Sequence, residues 1–160
     1  MILLTLLFTL SGEQATLAPE PARKPAPQFA LKDAKGKTLT LAKYRGKVVL
    51  LDFWATWCHG CKEELPWFAE FARKYKAQGL EVVGVSMDDG WSVVRQFLAQ
   101  KPIPYRIVLG NDGTAKQYNI GNMPDAFLVD RHGRIAATYV GVVDKDNLEA
   151  NLRAMLAQRQ

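Results

Sequence analysis

Cysteine and histidine are scarce in this chain: its 160 residues hold two of each. A structural zinc site takes four ligands, and these histidines are badly placed to complete one, since His59 lies between the thiols and His132 in a remote turn. A metal centre is therefore not expected, and neither is a scaffold of several disulfides. Apolar runs are short. The most apolar, Met1 to Leu10, falls well short of the ~20 residues that a membrane-spanning helix needs. Clustered charge is also missing. Lys and Arg total 21 against 16 Asp and Glu, for a net charge of +5, but they are scattered. That describes a mildly basic soluble surface rather than a nucleic-acid-binding face. No segment repeats, which removes solenoid architectures.

The length suits one domain with a real core. The apolar start, followed by small and polar residues, has the anatomy of a secretory signal with cleavage after Ala18, except that no basic residue precedes Arg23. Residues 1–18 are thus expected as a signal peptide or N-terminal apolar segment. That predicts a chain in the periplasm or otherwise outside the cytoplasm, with loose membrane association allowed; a cytoplasmic chain is the alternative. Residues 19–27 hold four prolines and predict an extended linker without a core. The folded domain is expected over 28–160.

Within it, Phe29–Lys32 and Lys37–Leu41 flank a Gly-containing turn and predict a hairpin. The continuous apolar run Val48–Phe53 predicts a strand buried on both faces. Apolar residues at helical spacing predict a helix over His59–Ala77, with Pro66 inside it. There follow a strand at Leu80–Met87, a helix at Trp91–Gln100, a strand at Tyr105–Leu109 and a short helix at Gly113–Tyr118. A final hairpin of Ala126–Val129 and Ile135–Val140 turns at Gly133, and a helix over Asp144–Ala157 closes the chain. Strands alternating with helices predict a three-layer α/β domain with a central mixed sheet.

The chemistry centres on Phe53-Trp54-Ala55-Thr56-Trp57-Cys58-His59-Gly60-Cys61. Two thiols three residues apart at a helix start can close a small disulfide ring, and no other cysteine competes. A permanent structural bridge would close too small a loop to stabilise much. The spacing therefore favours reversible dithiol–disulfide chemistry.

This motif, together with Pro66, Met123-Pro124 and Gly141, resembles the thioredoxin fold. The leading hairpin, the turn Tyr44-Arg45-Gly46-Lys47, the extra helix and strand from Trp91 to Leu109, and Phe127-Leu128-Val129-Asp130-Arg131-His132-Gly133 resemble the TlpA/ResA-like thiol–disulfide oxidoreductases. The resemblance runs from about Gln28 to Leu156. It implies a protein-disulfide reductase without a cofactor, exported or membrane-tethered, with a separate electron-donating thiol–disulfide partner. Many members serve cytochrome c maturation. A monomer acting on protein thiols and disulfides, without nucleic acid, is expected.

Residue roles follow from the same comparison. Cys58, at a helix N-terminus, is expected as the attacking thiolate, and Cys61 as the resolving thiol. Asp52, ending an apolar strand, is expected to have a raised pKa and to move the proton of Cys61; a hydrogen-bonded strand-end carboxylate without catalytic duty is the alternative. Met123–Pro124 is expected to be cis and to pack against the disulfide, with Met123 offering backbone groups to an extended substrate. Trp57, His59 and Gly60 complete the expected substrate-binding surface. His59-Gly60 departs from the Gly-Pro of thioredoxins, and a histidine that stabilises the thiolate makes the disulfide more oxidising. An oxidase or isomerase on the same fold is therefore the alternative function. A peroxiredoxin-like peroxidase is a further one, although Ala55 stands where its threonine is expected. Asp89 and Asp125 are left without assigned roles.

Overall fold

The computed structural model describes residues 12–158. Elements in chain order are β1 (Lys24–Pro25), β2 (Ala30–Lys32), β3 (Thr38–Thr40), β4 (Val48–Trp54), α1 (His59–Lys74), β5 (Leu80–Ser86), α2 (Trp91–Gln100), β6 (Arg106–Leu109), α3 (Asp112–Gln117), β7 (Asp125–Val129), β8 (Arg134–Val140) and α4 (Lys145–Ala157). Strands pair in the order β1-β8-β7-β4-β5-β6, and β2 and β3 form a separate hairpin. Within the larger sheet β4 runs parallel to β5 and antiparallel to β7. The predicted helix–strand insertion is α2 and β6.

All seven residues of β4 are buried, as expected of a central strand covered on both faces. Alternation sends its side chains to two different cores. Val48 and Leu50 meet Phe68 and Phe71 of α1 and Leu148, Leu152 and Met155 of α4. Val49, Leu51 and Phe53 meet Leu31 and Leu39 of the hairpin, Tyr118 and Phe127. A third cluster caps the C-terminal end of β4, where Trp54, Ala55, Cys58 and Cys61 pack with Leu65, Val94 and Ile107. Helices and hairpin thus form the outer layers of a three-layer domain. By this alternation Asp52 falls on the α1 face, between Leu50 and Trp54.

The proline-rich stretch departs from expectation. It is extended apart from a 3-10 turn at Glu20–Ala22, and it is packed onto the domain. Lys24 and Pro25 pair with Ile135 and Arg134 of β8, and the Ala26 N–H donates to the Gly133 carbonyl at 2.9 Å. Proline cannot donate to a ladder, so it suits the sheet edge where β1 lies. Arg23 is buried and pairs with buried Asp130 at 3.2 Å. Asp130 also takes the Arg134 guanidinium at 2.8 Å and the N–H groups of His132 and Arg134, which seat the Gly133 turn. Burial opposes the Asp130 charge, but these partners outweigh it and hold the carboxyl below its ordinary range. A long-range ion pair of this kind leaves no mark on local composition. Residues ahead of the prolines also touch the fold. Glu13 bonds through its backbone to Val142 and Asp144, and the Ala18 N–H donates to the Ala136 carbonyl. The apolar stretch Met1 to Leu10 lies outside the described residues. Among the described residues no helix is long and apolar enough to cross a membrane.

Removing one partner of a buried ion pair strands the other. Arg23→Met should therefore lower unfolding stability by about 2 kcal/mol, less than a full pair because Arg134 stays on Asp130; urea denaturation of the variant against the parent chain checks this.

Candidate active site

Strand β4 ends at Trp54, and the chain must turn sharply to start α1 at His59. The turn is pinned from β5. The Thr56 N–H and hydroxyl donate to the Asp88 carboxylate at 3.0 and 2.6 Å, and the Ser86 hydroxyl donates to it at 2.8 Å. Cys58 then takes the N-cap position, its sulfur accepting the Cys61 N–H at 3.2 Å. Cys58 and Cys61 are joined as a disulfide, with their Cα atoms 5.3 Å apart.

The two sulfurs have unlike surroundings. Cys58 caps a helix N-terminus, where unpaired N–H groups and the helix dipole favour a negative charge. Beside it Trp57 is 68% exposed. Cys61 is 1% exposed and lies one turn into the helix, within the cluster of Trp54, Leu65 and Ile107. Of the expected substrate-binding residues on the Cys58–Cys61 turn, Gly60 lies against Val142 and Pro124 from the second half of the chain. A Cβ added there would lie 2.7 Å from a Val142 methyl and 3.2 Å from Pro124 Cδ. The Met123–Pro124 peptide bond is cis; Pro124 lies against Gly60, and Met123 packs on the cluster that holds both cysteines. His59 points outward, 93% exposed, with Nε2 3.4 Å from Glu63 on the next turn.

Two carboxylates are buried on the same side of the sheet. Asp52 is 1% exposed, with neither oxygen hydrogen-bonded. Burial, and then the nearby Glu64 carboxylate, push its pKa well above the ordinary range. Glu64 is also 1% exposed. One of its oxygens accepts the Val143 N–H at 2.7 Å, and the other has no partner. Burial raises its pKa to about 8, with the Glu63 and Asp125 carboxylates adding to the effect. Asp125, buried at the start of β7, is raised by burial to about 6. Asp89 is exposed and stands apart from this group.

Glu64 and Asp88 went unrecognised in the sequence. Glu64 had a signal: it sits on the buried stripe of α1 with Cys61, Leu65, Phe68 and Phe71, and a charge inside an apolar stripe is costly unless it serves something. Asp88 had none, because its partner Thr56 is 32 residues away. Among the described residues no group of three or more His, Cys, Asp or Glu is placed to hold a metal ion.

The chain belongs to the AhpC/TSA family, whose model matches residues 22–138, and it is a thiol–disulfide oxidoreductase of the ResA kind. It is 35% identical over 131 residues to thiol–disulfide oxidoreductase ResA of Geobacillus kaustophilus, covering 81% of this chain and 75% of the relative. It is 33% identical over 132 residues to the Bacillus cereus protein of the same name, covering 81% and 76%. A crystal structure from Chlorobium tepidum, assigned as thiol:disulfide interchange protein DsbE, superposes with a TM-score of 0.81 at 36% identity, covering 89% of this chain and 100% of that one. The solution structure of a thiol:disulfide interchange protein from Bacteroides sp. gives 0.75 at 26% identity, with 90% and 93% covered. The thioredoxin-like fold and the oxidoreductase class read from the sequence are those of these relatives.

The buried carboxyls make stability depend on pH. Glu64 titrates at about 8 in the fold against an ordinary value of 4.5, so between these the folded state keeps a proton that the unfolded state releases. The stability that depends on this proton is complete below pH 4.5 and is lost as pH rises through about 8. Glu64→Gln keeps an acceptor for Val143 and removes the titration. It should raise the thermal midpoint at pH 8 by about 3 °C or more and leave it unchanged at acid pH, as calorimetry at the two pH values would show.

Proposed function

We propose that Cys58 and Cys61 are the working dithiol of a protein-disulfide reductase, with Cys58 the attacking thiolate and Cys61 the resolving thiol. The observation that carries this is the unlike setting of the two sulfurs: Cys58, 6% exposed, caps the helix beside an exposed tryptophan, whereas Cys61, 1% exposed, lies one turn into the same helix, which also carries the buried Glu64. Cys58 attacks a substrate disulfide, forming a mixed disulfide and releasing the first substrate thiolate. Cys61 loses its proton to Asp52 and attacks the Cys58 sulfur. That breaks the mixed disulfide, frees the second substrate sulfur as a thiolate that takes up a proton, and leaves Cys58–Cys61 oxidised. A separate dithiol donor must then return two electrons.

Trp57, Gly60, Met123 and Pro124 form the docking surface. The exposed indole supplies apolar area next to the attacking sulfur, and the Met123 backbone supports an extended substrate segment. His59, which faces Glu63 at the surface, meets substrate rather than the buried thiol. The apolar start of the sequence supports a working place outside the cytoplasm. An oxidase or isomerase is favoured only to the extent that His59 stabilises the Cys58 thiolate, and its pairing with the Glu63 carboxylate works against that.

With a disulfide-containing protein such as insulin, Cys61→Ser should accumulate a mixed disulfide through Cys58, and Cys58→Ser should trap none. Both should lose turnover by on the order of a hundredfold or more. Gel separation without reductant, followed by mass spectrometry of the adduct, reads the outcome; adducts on Cys61 in the Cys58→Ser chain would reverse the assignment.

A further inference from the structure

Six buried side-chain polar atoms have no hydrogen-bond partner among the described residues: both Asp52 oxygens, Oε2 of Glu64, Oδ1 of Asp125, Nε1 of Trp54 and the hydroxyl of Tyr105. Four of the five groups they belong to have been described above. Tyr105 has not, and nothing in the reaction described above uses it.

Its position follows from the strand register. Asp52 of β4 pairs with Gly84 of β5, and Gly84 with Ile107 of β6. Tyr105 lies two residues before Ile107, so alternation puts it on the same face, which is the face of Asp52. Packing agrees: Tyr105 lies against both the α1–α4 cluster and the cluster of Trp54 and Cys61, the two clusters that meet at Asp52. Between β4 and β6 on this face stands Gly84, which has no side chain. Trp54 Nε1 lies over it, 3.0 Å from where a Cβ would be. Two donors, the indole N–H and the phenol O–H, and two carboxylates thus share one buried space. The other edge of Tyr105 lines a surface cleft with Tyr44, Lys76, Glu81, Pro104 and Arg106. Burial, with Asp52 and Glu64 nearby, pushes the phenol pKa well up, so the hydroxyl stays a donor.

We propose that Tyr105 is a positioning residue of the thiol chemistry, its hydroxyl donating through one water to the buried Asp52 carboxylate, so that Asp52 can ionise and take the Cys61 proton. This deepens the reductase reading and rests on the roles given there to Cys61 and Asp52. A hydrogen bond from a neutral donor favours the charged form of a carboxylate. It therefore offsets part of the penalty that burial and Glu64 impose on Asp52. Other charges facing this space are Glu63 and Glu64 from α1 and Asp125 from β7, with Lys76, Glu81 and Arg106 at the cleft.

The test uses the reduced full chain and 5,5′-dithiobis(2-nitrobenzoate). Attack by Cys58 releases one thionitrobenzoate, and attack by Cys61 on the resulting mixed disulfide releases the second. Tyr105→Phe keeps the ring and removes the donor. It should move the acid limb of the second release upward by about one pH unit, slowing that step about tenfold below the limb, while the first release keeps its rate. In an Asp52→Asn background the same substitution should change neither. An unmoved limb, a limb moved equally in the Asp52→Asn chain, or a change in thermal midpoint alone would each overturn the proposal. Cys61→Ser should release its one equivalent at the rate of the parent's first release and Cys58→Ser should react far more slowly; the reverse order would instead overturn the reductase roles on which the proposal rests.

Discussion

Everything in the site depends on where α1 begins. The Cys61 N–H donates to the Cys58 sulfur, so Cys58 is the cap and the first free N–H groups of the helix face it. That start is held by two supports. On one side, Asp88 grips the backbone and hydroxyl of Thr56. On the other, the cis Met123–Pro124 loop and Val142 close over Gly60. Shift the cap by one residue and Cys58 no longer stands at the helix N-terminus.

From this placement the two thiols acquire opposite electrostatics. The helix terminus favours a thiolate on Cys58. Cys61, one turn later, faces an interior that already holds Asp52 and Glu64, and charge there is penalised by burial and by like charge together. The same penalty keeps the carboxyls protonated until the fold is challenged by higher pH, so a cost to stability is built into the floor of the site. Such a cost is characteristic of functional positions, where local rules give way and the surrounding packing compensates. Here the compensation is the wholly buried β4 and the three apolar clusters around it.

Much of this was legible in the sequence because it is local. The run Val48–Phe53 could only be a strand covered twice, and the spacing of Cys58 and Cys61 at a helix start implied their proximity. The hairpin at Gly133 and the helix–strand insertion were likewise readable from turn residues and periodicity, to within one or two residues at the ends. What stayed hidden is non-local. Arg23 meets Asp130 across 107 residues, which turns an expected linker into a sheet edge. Asp88 reaches back to Thr56, and Tyr105 comes to the sheet face of Asp52 only through the pairing of three strands. Glu64 was within reach, since its place on the apolar stripe of α1 marks it as a charge kept where charge is costly.

The central claim is that this pair of thiols, so arranged, gives electrons to protein disulfides. The equilibrium reduction potential of Cys58–Cys61, measured on the full chain in dithiol redox buffers, tests it most directly. A value near or below about −250 mV is predicted, because a donor must lie below the disulfides it reduces. A value above about −180 mV would contradict the account and mark an oxidase or isomerase.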